Sequence, residues 1–322
     1  METTPAQPRT LMEAIRYFAD ADRTLATAVA LRWPNGVHCP GCGRTDVRFI
    51  ATRRLWECKE KHPKRQFSAK VGTIFEDSAL PLDKWFVAIW AIANCKNGIS
   101  SYELARSIGV TQKTAWHMLH RIRLAMDAGS LDKFDGIVES DETYVGGAAK
   151  NMHEKKRKQR ISRDASADKT AIMGLLQRGD GTVHSRIRAR TIGQANKKTL
   201  HAAVRANVEL GAQLMTDSLF AYRGLGTEYV HQYVNHAVEY VRGAVHTNGL
   251  ENFWSLLKRT VRGTYVSVDP LHMDRYIGEQ AFRFNARKDN DLGRFRAVLG
   301  STTGKRLTYK DLTNNALSPA TA

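Results

Sequence analysis

Apolar residues recur at helical spacing along some stretches of the chain and alternate with polar ones along others. In "HTNGLENFWSLLKR" (246–259), Leu250, Phe253, Trp254 and Leu257 fall at i, i+3, i+4 and i+7. This predicts one buried stripe on a helix whose other side carries Asn248, Glu251, Ser255 and Lys258. The densest apolar run, residues 85–95, follows Pro81 and stops at Asn97-Gly98. It predicts a core helix from about Pro81 to about Cys95, with Cys95 a core thiol. Ser100 or Ser101 as an N-cap with Glu103 behind it, a turn at Gly109 and Thr111 as the next cap predict a helix, a turn and a second helix. On the second helix Ala115, Trp116, Leu119 and Ile122 face inward, while Gln112, Lys113, Thr114 and His117 face outward. Beyond residue 135 the pattern changes. "GIVESDETYVGG", "KTAIMGLLQR", "TVHSRIRART" and "GAQLMTDS" read as strands and "GQANKKTLHAAVRANV" as a helix, which together predict an α/β sheet.

Composition narrows the function classes. The 322 residues suffice for two or three domains. Lys and Arg number 49 against 32 Asp and Glu, for a formal net charge of +17, and 42% of residues are hydrophobic. A folded protein with a polyanionic partner is expected. The longest apolar run falls short of the roughly 20 residues that span a bilayer, so nucleic acid is favoured over a membrane. The N-terminus lacks a basic start followed by an apolar run, so no secretory signal is expected and the location is read as cytoplasmic. The basic run "HEKKRKQRISR" (153–163) reads as a solvated loop able to follow a DNA backbone. "GKRLTYKDLTNNALSPATA" reads as a short basic element and then a frayed tail.

Two sets of side chains suggest metals. Cys39 and Cys42 form a C-x2-C turn eased by Pro40, Gly41 and Gly43, and Cys58 with His62 adds a C-x3-H pair across a predicted hairpin. That is a Cys3His set for a structural zinc, with His38 the nearby substitute for His62. The second set is acidic. Asp141 lies at or near the end of the first predicted strand and Asp217 closes the last. Two carboxylates at neighbouring strand ends repel unless a cation lies between them, and Glu251 could add a third oxygen from its helix. Local alternatives stay open: Asp217 as a turn cap before Ser218, and Glu139 or Glu142 as the acid beside a structural Asp141.

An ordered series of segments carries a family likeness: "RWPNGVHCPGCG", "FSAKVGTIFEDSALPLDKW", "GISSYELARSIGVTQKTAWHMLHRIR", "VESDETYVGG", "TDSLFAY", "VNHAVEYV", "HTNGLENFWSLLKR" and "RYIGEQAFRFNAR". The series resembles the DDE transposases of bacterial insertion sequences, in the ISXO-like group that carries an N-terminal zinc ribbon. The resemblance implies an α/β, ribonuclease H-like catalytic domain preceded by a zinc ribbon and a helix-turn-helix. The expected parts are an N-terminal helical segment (1–30), the ribbon (31–75), a helix-turn-helix DNA-binding region (80–128), the catalytic domain (134–290) and a C-terminal basic element and tail (291–322). It also implies Asp141, Asp217 and Glu251 as ligands of Mg2+ or Mn2+, Lys258 as a catalytic basic residue, and two-metal-ion cleavage followed by joining of 3' ends to target DNA. Asn248 is the alternative to Glu251, and relatives with a second C-x2-C leave the fourth zinc ligand open. Gln112, Lys113, Thr114, His117 and Arg121 are the expected DNA contacts. His236 and His246 are expected in fold or substrate contacts, and Tyr144, Trp254, Arg283 and Asn285 in DNA contact or packing. The partners implied are the element's terminal repeats and target DNA, handled by a homodimer or larger synaptic assembly. Two other functions remain open, a DNA-binding regulator with an inactive α/β domain and a metal-dependent nuclease without strand transfer.

Overall fold

The computed structural model describes residues 7–127, 132–146, 169–234 and 245–314. The chain divides into two compact units, Met1–Ala128 with Lys288–Ala322, and Gly129–Arg287. The basic run 153–163, His236, most of "VNHAVEYV" and the tail beyond residue 314 lie outside the described residues.

The first unit begins with α1 (Leu11–Phe18) and α2 (Ala21–Arg32), capped by the side chains of Thr10 and Asp20. A three-stranded antiparallel sheet follows, in the order β1 (Val47–Ile50), β2 (Leu55–Cys58), β3 (Gln66–Phe67). Trp33, at the end of α2, packs edge-on against Trp56 and Phe67, which gives this small polar sheet an aromatic face. α3 (Leu82–Asn94) is buried around almost its whole circumference. Phe86 and Trp90 meet Phe295 on α9 (Asp291–Gly300), and Phe18 packs against both Phe86 and Phe295, so the C-terminal element completes this core. α4 (Ser101–Ile108) starts with a capping box of Ser100 and Glu103 and ends at Gly109, whose φ of 62° is the left-handed conformation glycine tolerates. α5 (Gln112–Met126) starts three residues later, with Thr111 as its cap.

The second unit is built on a five-stranded sheet of order β6-β5-β4-β7-β8, from β4 (Ile137–Val145), β5 (Thr170–Gln177), β6 (Arg186–Ile192), β7 (Gln213–Asp217) and β8 (Val230–Val234). β4, β5 and β6 pair antiparallel, while β7 and β8 run parallel to β4. Both faces are covered, which is why β5 reads as a nearly continuous apolar run. On one face α6 (Lys197–Asn207) places Leu200 and Val204 against Val138, Met173, Leu175 and Leu214. On the other, α7 (Asn248–Thr260) and α8 (Met273–Asn285) pack Leu250, Phe253, Trp254, Leu257 and Ile277 on Ile172, Leu176 and Ile187.

Three details depart from the sequence reading. Cys95 is exposed, because α3 ends at Asn94 and the thiol falls outside the buried stripe. Asp141 lies inside β4 rather than at its end. β8 was not among the predicted strands. A glycine fixes how α7 meets the sheet: Gly174 is the register partner of Asp141, and a Cβ there would stand 2.7 Å from the Trp254 ring and 2.8 Å from Leu250 Cδ2. Gly174→Ala should therefore cost about 1–3 kcal/mol as overpacking. Urea denaturation should register this as a lower midpoint with an unchanged slope.

Candidate active site

Cys39, Cys42, Cys58 and His62 each offer a ligand atom, and these atoms all lie within 4.8 Å of one another. Cys42 Sγ and Cys58 Sγ are 3.6 Å apart, too far for a disulfide and suited to two ligands of one tetrahedral ion. His62 Nε2 is 3.4 Å from Cys39 Sγ, while its Nδ1 is 2.8 Å from the Pro63 carbonyl. An N–H on Nδ1 donating to that carbonyl leaves Nε2 as the ligand atom. Gly41 admits the imidazole, since a Cβ there would approach His62 Cε1 to 3.3 Å. Against desolvation, the backbone N–H groups of Gly41 and Cys42 hold Cys39 down to about 7, and burial pushes Cys58 up. The soft donor set and its spacing fit a zinc ion.

The acidic site forms where β4 and β7 part. Their ladder runs from Ile137↔Gln213 to Glu139↔Met215 and stops. Two residues further on stand Asp141 and Asp217, at equivalent positions across the gap. The described group of carboxylates within 4.8 Å of one another is Asp141, Glu142 and Asp217, all half-buried. Consecutive strand residues point to opposite faces, so Asp141 and Glu142 are held from different sides. Trp254 Nε1 on α7 donates to Asp141 Oδ2 at 2.9 Å. Tyr222, on a 3-10 turn after β7, donates from its hydroxyl to Glu142 Oε1 at 2.5 Å, with Ser140 Oγ 2.9 Å from the same hydroxyl. Burial pushes Asp141 up to about 6 against the Trp254 hydrogen bond, with the charges of Asp217 and Glu251 adding to the rise. Burial likewise pushes Glu142 up to about 7 against the Tyr222 hydrogen bond, with Asp217 and Asp141 adding to it. Three hard oxygen donors crowded until two resist ionisation have the chemistry to hold a divalent cation.

Glu251 lies in the first turn of α7, exposed, outside that group yet near enough to act on Asp141 electrostatically. Asn248 is exposed at the start of the same helix, and Lys258 lies two turns beyond Glu251, about 10 Å along the axis. Glu139 is buried, with Arg178 Nε donating to Oε1 and the Leu250 N–H to Oε2, and so stands apart from the acidic group. Trp254 and Arg283 pack inside the unit, and Asn285 pairs with both backbone groups of Ile187 on the edge strand β6. Tyr144 is exposed.

Of the expected DNA contacts, Lys113 is exposed with its ammonium 4.6 Å from the Tyr309 ring centroid. Gln112 donates to Ser101, and the Thr114 hydroxyl meets Thr111. Arg121 is only 5% exposed; its Nε donates to the Leu307 carbonyl, and His117 Nε2 lies 3.3 Å from the same oxygen. Those two side chains hold the C-terminal segment of the unit on α5.

A family model described as the ISXO2-like transposase domain matches residues 133–285, and one described as the transposase zinc-ribbon domain matches residues 20–60. The chain is 31% identical over 260 residues to "Uncharacterized protein in transposable element ISH50" of Halobacterium salinarum, an alignment covering 77% of this chain and 85% of that protein. The chain belongs to the ISXO2-like transposase family. For an ISXO2-like DDE transposase domain the mixed sheet of the second unit is expected to be ribonuclease H-like, and the ribbon match ends just before His62. Among the described residues no helix is long and apolar enough to cross a membrane. In the sequence Glu142 stands only as an alternative to Asp141, and no local pattern signals the Tyr222 contact.

Two outcomes are expected. Chelation should open residues 33–67 to protease and lower the stability of the first unit, because a structural zinc contributes on the order of 10 kcal/mol. Divalent-cation binding at the acidic site should release protons at pH 6.5, where Asp141 and Glu142 are partly protonated, and close to none above pH 8.5. Calorimetry in buffers of different ionisation enthalpy measures the difference.

Proposed function

We propose that this chain is the transposase of an insertion sequence. It binds the terminal inverted repeats, cleaves DNA strands and joins the 3' ends to target DNA by phosphoryl transfer at the β4–β7 gap. The observation that carries this reading is the approach of Asp141, Glu142 and Asp217 to within 4.8 Å in a member of a transposase family. A regulator with an inactive α/β domain has no use for three carboxylates gathered within 4.8 Å at a half-buried strand gap.

Asp141 and Asp217 are the primary cation ligands in this reading. Glu251 completes the set from α7, with Asn248 its alternative, and Glu142 is a fourth oxygen donor restrained by Tyr222. Divalent cations, when bound, lower the pKa of the attacking water or 3' hydroxyl and stabilise the leaving oxygen. Trp254 fixes the Asp141 carboxylate from the apolar side, so the ligand does not swing away from the phosphodiester. Lys258, on the same face of α7 as Glu251, binds a backbone phosphate beside the reacting one. No covalent protein intermediate is needed.

DNA is held in the first unit by the zinc ribbon and by α4 and α5, used as a helix-turn-helix. Gln112, Lys113 and Thr114 in the first turn of α5 meet the bases, with Lys113 the exposed cation. His117 and Arg121 contribute by bracing that helix through Leu307. A homodimer or larger assembly holds the two DNA ends together.

Asp141→Ala and Asp217→Ala should each lower strand cleavage at least a thousandfold while terminal-repeat binding stays within about threefold. Gel shift and cleavage of labelled repeat ends measure the two. Undiminished cleavage by Asp141→Ala would overturn the site. Wild-type cleavage without strand transfer from precut ends would favour a nuclease.

A further inference from the structure

α7 carries Glu251, and its first N–H, that of Asn248, points to His246 Nδ1 at 3.4 Å. Thr247 occupies the N-cap position without a side-chain cap hydrogen bond. A shorter bond comes from β4: Glu139 Oε2 takes the Leu250 N–H at 2.9 Å. Glu139 is 1% exposed, so a buried carboxyl group meets the helix N-terminus. Its other oxygen takes Arg178 Nε at 2.7 Å, and Arg178 Nη2 reaches both the carbonyl and Nδ1 of His246, at 2.6 and 2.8 Å. Gly249 permits the close approach: a Cβ there would stand 2.8 Å from Glu139 Oε2 and 3.1 Å from both Leu176 methyls.

The same helix and strand meet again one step further on. Glu139 and Asp141 share a face of β4, two residues or about 6.7 Å apart. Leu250 and Trp254 share a face of α7, four residues or about 6 Å apart. The two spacings match, so Leu250 binds Glu139 while Trp254 binds Asp141. Glu251 directly follows Leu250, and its backbone is located by the first of these bonds.

We propose that Glu139, clamped by Arg178 and His246, is a positioning residue that sets the reach of Glu251 toward Asp141 and thereby the divalent-cation affinity, without being a ligand. The proposal rests on the reading of Glu251 as a ligand. Glu139→Gln places an amide donor against either Arg178 or the Leu250 N–H. Gly249→Ala leaves the charge intact and pushes the helix start away from it.

The test uses the zinc-loaded full chain, with circular dichroism and repeat binding as controls of folding. Before Mn2+ is added, both variants should speed hydrogen exchange at the amides of residues 250–253 at least tenfold. Both should weaken Mn2+ binding, read by calorimetry, roughly 10–100-fold, and cleavage should return at high Mn2+. If Glu139→Gln does not fold, Gly249→Ala and Arg178→Lys carry the test with the same expectations. Unchanged Mn2+ affinity in the folded variants overturns the proposal, as does loss of cleavage by Glu139→Gln that saturating Mn2+ does not rescue. Glu251→Gln separates the two levels. If it weakens Mn2+ binding while the Glu139 and Gly249 variants do not, the positioning role fails and the ligand reading stands. If it binds Mn2+ as the wild type does, the ligand reading itself fails.

Discussion

Like charges forced together at half-buried positions of the sheet are the constraint on which the second unit depends. Asp141, Glu142 and Asp217 come within 4.8 Å where the β4–β7 ladder stops, and burial with mutual repulsion raises the first two toward neutrality. A fold does not gain stability from that arrangement. It persists because apolar clusters on both faces of the sheet hold the strands in register, and because Trp254 and Tyr222 each engage one carboxylate from opposite faces. Concentrating negative charge in this way leaves a donor set suited to a hard cation.

Around that site the structure divides its work between packing and polar anchoring. The stripe Leu250, Phe253, Trp254 and Leu257 buries α7, but apolar contact alone would let the helix slide along the sheet. Two polar bonds to one face of β4 fix it, and two glycines, Gly174 and Gly249, leave room for the approach. In the first unit the Cys3His group plays the corresponding part for a sheet too small and polar to hold itself, with Trp33 covering one face.

Much of this was legible in the sequence where the signal is local. The 3.6-residue stripe of α7, the capping box at Ser100 and Glu103, the left-handed Gly109 and the C-x2-C turn all depend on residues within one turn or hairpin. The likeness to ISXO-like transposases added the family, which the matching domain and the ISH50 protein establish. What the sequence withheld depends on distant pairing. Tyr222 meets Glu142 across 80 residues, and Glu139 meets Leu250 across 111. His117 and Arg121 look like an outward face until the chain returns with Leu307 some 190 residues later. Cys95 misled for a smaller reason: the helix ends one residue earlier than its apolar run. Alternation placed Asp141 on a strand, but only the register with β7 reveals that the ladder ends just before it.

The most direct measurement is anomalous diffraction from crystals of the full chain soaked in Mn2+, with the zinc of the ribbon as internal control. The account predicts a manganese peak in the β4–β7 gap at about 2.0–2.2 Å from carboxylate oxygens of both Asp141 and Asp217. A zinc peak at the ribbon with manganese bound elsewhere, or with none bound between those two aspartates, would contradict it.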